Sequence, residues 1–80
     1  MQQDITVEVH IEEDESNTLV HALLNLRGDH FEATGRARRN PHDSPMPLVG
    51  EELAMARALS SLALQVMEAA QGKIEKFLAG

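Results

Sequence analysis

The sequence predicts an α+β domain of two layers, β-β-β-α, with a three-stranded antiparallel meander packed on one long C-terminal helix. Three observations predict it. Apolar and polar residues alternate strictly from Asp4 to Glu13, two further alternating stretches follow across short polar turns, and Val49 to Gln71 forms a long, strongly apolar helical segment. The 80 residues make one domain. A chain this short buries only roughly 60 % of the surface it exposes when unfolded, so its stability alone is expected to be marginal.

The first strand, over about 4–13, places Ile5, Val7, Val9 and Ile11 on one face and Thr6, Glu8, His10 and Glu12 on the other. The run from Glu12 to Asn17 is polar and ends in turn-forming residues, so it is read as an exposed hairpin connection. In the second strand, over 18–26, Val20, Ala22, Leu24 and Leu26 make the uninterrupted apolar face. Leu19 and Leu23 share the opposite face with His21 and Asn25. A tight connection at Arg27-Gly28-Asp29 leads to a third strand over 30–38, whose inner row Phe31, Ala33, Gly35, Ala37 is small. Small residues weaken a strand interior, so their regular placement predicts that the helix backbone passes close by.

All three prolines fall in 39–49, a stretch that continues neither a ladder nor a helix and is read as the crossing connection. Gly50 is an acceptable helix N-cap, and Glu51 and Glu52 complement the positive end of the helix dipole. The helix is predicted over about 50–71, with Leu53, Ala56, Leu59, Ala63, Met67 and Ala70 as its core-facing stripe. Gly72 is expected to end or bend it before a short helical tail over 73–78.

Charge and composition exclude several classes. The net charge of −6 is concentrated in residues 1–30, which hold seven acids against one base. Such a chain repels phosphate backbones at long range. There is no cysteine, hence no disulfide, and oligomerisation becomes the expected supplement to a small core. The N-terminal residues lack the pattern of a signal peptide and no run of about 18 apolar residues occurs, so a soluble, cytoplasmic protein without a membrane span is expected.

Arg39-Asn40-Pro41, Asp43, Pro45 and Val49-Gly50-Glu51-Glu52-Leu53-Ala54, followed by Ala56 to Ser60 and Leu62-Ala63, resemble the domain of unknown function 1876 family of small actinobacterial proteins. The resemblance covers the first strand, the Gly28 turn, Gly35 and Ala37 and the helix, and fades after about Ala70. The chain departs from the family's pattern at Ser61, often Asp in members, and near Leu26, where members often carry tryptophan. The resemblance implies a fold like the double-stranded RNA-binding domain without its leading helix. It implies no activity and no catalytic residue.

The candidate sites follow from these faces. Pairing Ile11 with Val20 sets His10 opposite His21, and pairing Leu26 with Phe31 would set His21 opposite Arg36, giving the outer sheet face a central basic row. A metal or pH-sensing site would draw on His10, His21 and Glu8 or Glu12, but these offer no fixed spacing for a third ligand and no metal is assigned. Phosphate contact would fall to Arg36, Arg38 and Arg39. The exposed strands offer no aromatic to stack a base, so duplex RNA binding stands as the alternative and nucleic acid is disfavoured. No cofactor motif is present. Ser16, Ser44, Ser60 and Ser61 lie in no motif that activates a hydroxyl, and His42 and Asp43 fit a turn better than a catalytic pair, so no catalytic residue is assigned. What is left over is apolar: Leu19 and Leu23 on the sheet, and Met55, Leu64, Ile74, Phe77 and Leu78 on the helix and tail. These form the expected oligomer interface, a dimer being the simplest closed assembly. The function expected is a self-associating structural or regulatory module without catalysis.

Overall fold

Strand alternation and the two polar turns produce a meander of order β1-β2-β3, followed by a single helix. The computed structural model describes residues 1–38 and 47–79. Its elements are β1 (Val7–Glu13), β2 (Asn17–Leu26), β3 (Asp29–Arg38) and α1 (Pro47–Ala79). Most of the proline-rich connection, with Arg39, His42, Asp43 and Ser44, lies outside the described residues.

The inner faces fall where alternation puts them. Val20 and Ala22 are fully buried, Phe31, Ala33 and Ala37 are buried across from the helix, and Val9, Leu24 and Leu26 pack against that cluster. β1 is shorter than its alternation suggests. Its ladder stops at the Val7–Leu24 pair, leaving residues 4–6 without strand partners.

The two hairpins differ in how they close. In the first, the Asp14 carboxylate accepts hydrogen bonds from the amides of Ser16 (2.8 Å) and Asn17 (2.7 Å), and the Asp14 amide donates to the Asn17 carbonyl at 3.0 Å. This side-chain turn holds the connection without any packing. The second closes in two residues, Arg27 at φ 50° and Gly28 at φ 90°. Two successive positive φ values match the right-handed strand twist and make the tightest hairpin available. As a result Leu24, not Leu26, faces Phe31. The expected pairing was displaced by two residues: inward and outward faces are unchanged, but His21 lies opposite Thr34 and Arg36 opposite Leu19.

The helix differs more. It begins at Pro47, whose locked φ suits a first turn, and runs unbroken through Gly72 for 33 residues. It neither starts at Gly50 nor stops at Gln71. The residues it buries are Ala54, Ala58 and Leu62, with Met55, Val66 and Ala69 partly covered. The predicted core stripe is turned outward: Leu53 is 46 % exposed and Met67 58 %, while Ala56, Ala63 and Ala70 are also exposed.

Gly35 explains the choice of face. A Cβ placed there would run into the Ala54 carbonyl oxygen and the Ala58 amide nitrogen. Helix and strand backbones are in direct contact, and only alanine on the facing side of the helix permits it. The helix lies over β2 and β3 and makes little contact with β1.

Gly35→Ala is expected to destabilise the fold by about 3 kcal/mol, because two backbones rather than a flexible side chain must move apart. A urea midpoint within experimental error of wild type would refute the close contact. Gly72 stands in the opposite situation, since a Cβ there meets nothing within 4 Å. Gly72→Ala should stabilise the C-terminal turns by about 0.5–1 kcal/mol, read as slower amide exchange over 73–79.

Candidate interaction surfaces

The molecule has two faces with unusual side-chain content. On the outer sheet face the cross-strand rows are Glu8–Leu23–Glu32, His10–His21–Thr34 and Glu12–Leu19–Arg36. His10 does meet His21, but the shifted register removes the arginine from the central row. Glu32 collects the histidines instead, with His30 Nε2 at 3.1 Å and His21 Nε2 at 4.0 Å, while His30 Nδ1 lies 2.6 Å from Asn25 Oδ1. His10 Nε2 lies 3.7 Å from Glu8. All these groups are well exposed, so each pair contributes less than about 1 kcal/mol. Among the described residues no group of three or more histidines and carboxylates is gathered to hold a metal ion. Leu19 and Leu23 are half-buried among these charges. Arg36 and Arg38 are exposed and separated from one another by the strand pleat repeat, with Arg36 beside Glu12's row rather than in a basic cluster.

The free edge of β3 is covered. Arg57 Nη1 donates to the Arg36 carbonyl (2.6 Å), Gln65 Nε2 to the Glu32 carbonyl (2.7 Å), and Lys73 Nζ meets the Asp29 carboxylate at 2.5 Å. These three residues recur every eight positions along the helix while their partners step back along β3. They satisfy groups that an edge strand would otherwise offer to another chain. Sequence reasoning did not single them out; the polar residues at that spacing beside the apolar stripe were the available signal.

The second face is the outward side of α1. Of the expected interface residues, Leu64 (65 % exposed), Ile74, Phe77 and Leu78 lie on it or beside it. Met55 does not. It packs partly buried against the core, because the helix is rotated to seat Ala54 and Ala58 on β3. Beside this face, β1 leaves Val7 and Ile11 exposed on the same side of the sheet as the helix.

No described helix is long and apolar enough to cross a membrane. The Rv2632c-like family model matches residues 3–80. This chain belongs to the Rv2632c-like family. It is 41 % identical over 69 residues to Uncharacterized protein Rv2632c of Mycobacterium tuberculosis, covering 86 % of this chain and 74 % of that one. Uncharacterized protein Mb1767 of Mycobacterium bovis is 38 % identical over 73 residues, covering 91 % and 78 %. The crystal structure of Rv2632c superposes with a TM-score of 0.88 at 37 % identity, over 95 % of this chain and 90 % of that one. The family thus carries this strand-and-helix arrangement.

One electrostatic contact ties the hairpin end to the helix start. The Glu13 carboxyl is held above the ordinary 4.5 by a hydrogen bond with the Glu51 carboxyl, by partial desolvation and by the Glu51 charge, in that order. Asp14 is held below 3.8 by the two amide hydrogen bonds of its turn. The two act in opposite senses. Protonated Glu13 favours the fold, and that contribution is lost as pH rises above 4.5 through its folded value. The Asp14 contribution is present above 3.8 and is lost as pH falls through its own lower folded value. In the pH range just above 4.5, stability is therefore expected to rise as pH is lowered, and Glu13→Gln should flatten that part of the slope. An unchanged slope in the variant would show that the carboxyl pair is not its source.

Proposed function

We propose that this protein is a non-catalytic interaction module that works as a self-associated unit, a dimer in its simplest form. The observation that carries the reading is an excess of surface. The chain exposes 6487 Å², whereas a compact monomer of its 8.8 kDa exposes about 4,800 Å². Its radius of gyration is 16.3 Å against about 12 Å for a compact 80-residue domain. The cause is the helix, which at 33 residues spans about 50 Å while a ten-residue strand spans about 33 Å. Its outward face and surplus length leave Leu53, Leu64, Met67, Ile74, Phe77 and Leu78 exposed, and apolar surface of that extent is rarely left in water.

Among the described residues, no arrangement of side chains favours chemistry or phosphate docking over this reading. Ser60 and Ser61 lie within α1, in no motif that activates a hydroxyl. Arg36 and Arg38 share their sheet face with Glu8, Glu12 and Glu32, which tells against duplex RNA even for a fold resembling its binding domain.

Sedimentation equilibrium tests the proposal. The wild-type protein is expected at twice its chain mass at micromolar concentration, and Met67→Glu, on the outward helix face, at the monomer mass with its helix content retained. Leu23→Glu, on the sheet, should leave the mass unchanged. A wild-type protein that remains at 8.8 kDa up to about 100 μM, a weak-binding limit near −5.5 kcal/mol, would overturn the proposal.

A further inference from the structure

The outward face of α1 carries a stricter pattern than general apolarity. Val49, Leu53, Ala56, Ser60, Ala63, Met67, Ala70, Ile74 and Phe77 follow one another at spacings that alternate between four and three without a break. That is a 3.5-residue repeat sustained over four heptads, the narrow seam that fits another helix rather than the broad face that fits a sheet. The face that does pack on the sheet reads differently, with Ala54, Ala58 and Leu62 recurring every four residues.

Apart from Ser60 and Met67, which would face one another across an antiparallel pair, the seam is symmetric in side-chain size about Ala63. Alanines stand seven residues to either side, at 56 and 70, and bulky apolar residues lie beyond them, Leu53 towards one end and Ile74 towards the other. An antiparallel copy reads the same series in reverse. It sets Ala63 on its own counterpart, alanine on alanine one heptad out, and leucine near isoleucine beyond. Two helices crossing at Ala63 approach closely at the small residues and spread towards the large ones.

Charge selects the same orientation. Glu51, Glu52 and the acidic β1–β2 turn lie near the start of the helix, where Glu13 already feels the Glu51 charge, while near its end Lys73 and Lys76 offset Glu68 and Glu75. An antiparallel pair sets each acidic end against a charge-balanced one, whereas a parallel pair stacks the acidic ends together.

We infer that a second copy of this chain docks antiparallel on the outward seam of α1, with the twofold axis passing beside Ala63, so that the assembly is two sheets enclosing a central helix pair. This rests on the self-association proposed above and adds the face and the orientation. The chain has no cysteine, so single introduced thiols report the contact directly. Under mild oxidation Ala63→Cys is expected to form a disulfide-linked dimer about tenfold faster than Glu15→Cys in the exposed turn, since a thiol on the axis meets its own copy within bonding reach. Leu53→Cys and Ile74→Cys should link to each other when mixed, and neither should link to itself. Circular dichroism on each variant establishes that the fold is retained.

A dimeric protein in which Ala63→Cys fails to cross-link overturns the inference and leaves self-association standing, as does one in which Leu23→Cys on the sheet cross-links instead. Self-linking of Leu53→Cys overturns the antiparallel orientation. A protein that stays monomeric removes both the inference and the reading beneath it.

Discussion

The backbone contact between β3 and α1 governs the rest of this molecule. Gly35 lets the helix lie against the strand at the Ala54 carbonyl and the Ala58 amide, a separation no residue with a Cβ allows. Once that contact forms, the rotation of the helix about its axis is decided. The alanine face turns inward, and the larger residues Leu53, Leu59 and Met67 face away from the sheet. The small core that results is tight but contains little large apolar volume: among the described residues Val20 is the only large side chain that is completely buried. A domain built this way gains precision of packing and gives up much of the hydrophobic burial that longer side chains would have supplied.

The same rotation makes the two sheet edges unequal. On β3, Arg57, Gln65 and Lys73 reach across from the helix and occupy the Arg36 and Glu32 carbonyls and the Asp29 carboxylate. On β1 the helix gives almost no cover. That strand instead carries Glu8, Glu12 and Glu13 and leads into the acidic turn, and closely spaced like charges discourage a second β1 from pairing with it. The concentration of acid in the first 30 residues therefore has a structural reading. It guards the one edge the helix does not reach.

Much of this was legible in the residues. Period-two alternation has only two phases, so once Val20 and Ala22 are taken inside, the inward and outward sets of every strand follow; His10 opposite His21 follows from the further choice of pairing Ile11 with Val20. The β2–β3 register was less legible because it depends on a non-glycine residue, Arg27, adopting positive φ. Nothing in an arginine announces that conformation; it is imposed by the strands on either side. The two-residue shift that follows moved Arg36 away from the histidines and put Glu32 beside them, so the outer face reads as mixed rather than basic.

The sequence by itself determined the order of the elements, the alternating faces, the small row on β3 and the presence of one helix with more apolar surface than its sheet can use. These are properties of local period and composition, which need no knowledge of what lies opposite. Only the tertiary structure decided which apolar stripe of that helix became core. Leu53, Ala56, Ala63 and Met67 have the hydrophobicity of a buried face, and hydrophobicity alone ranks them above Ala54 and Ala58. What overrides that ranking is steric: Gly35 presents bare backbone, and the side of the helix that fits it is the one with nothing larger than a methyl group at the point of contact.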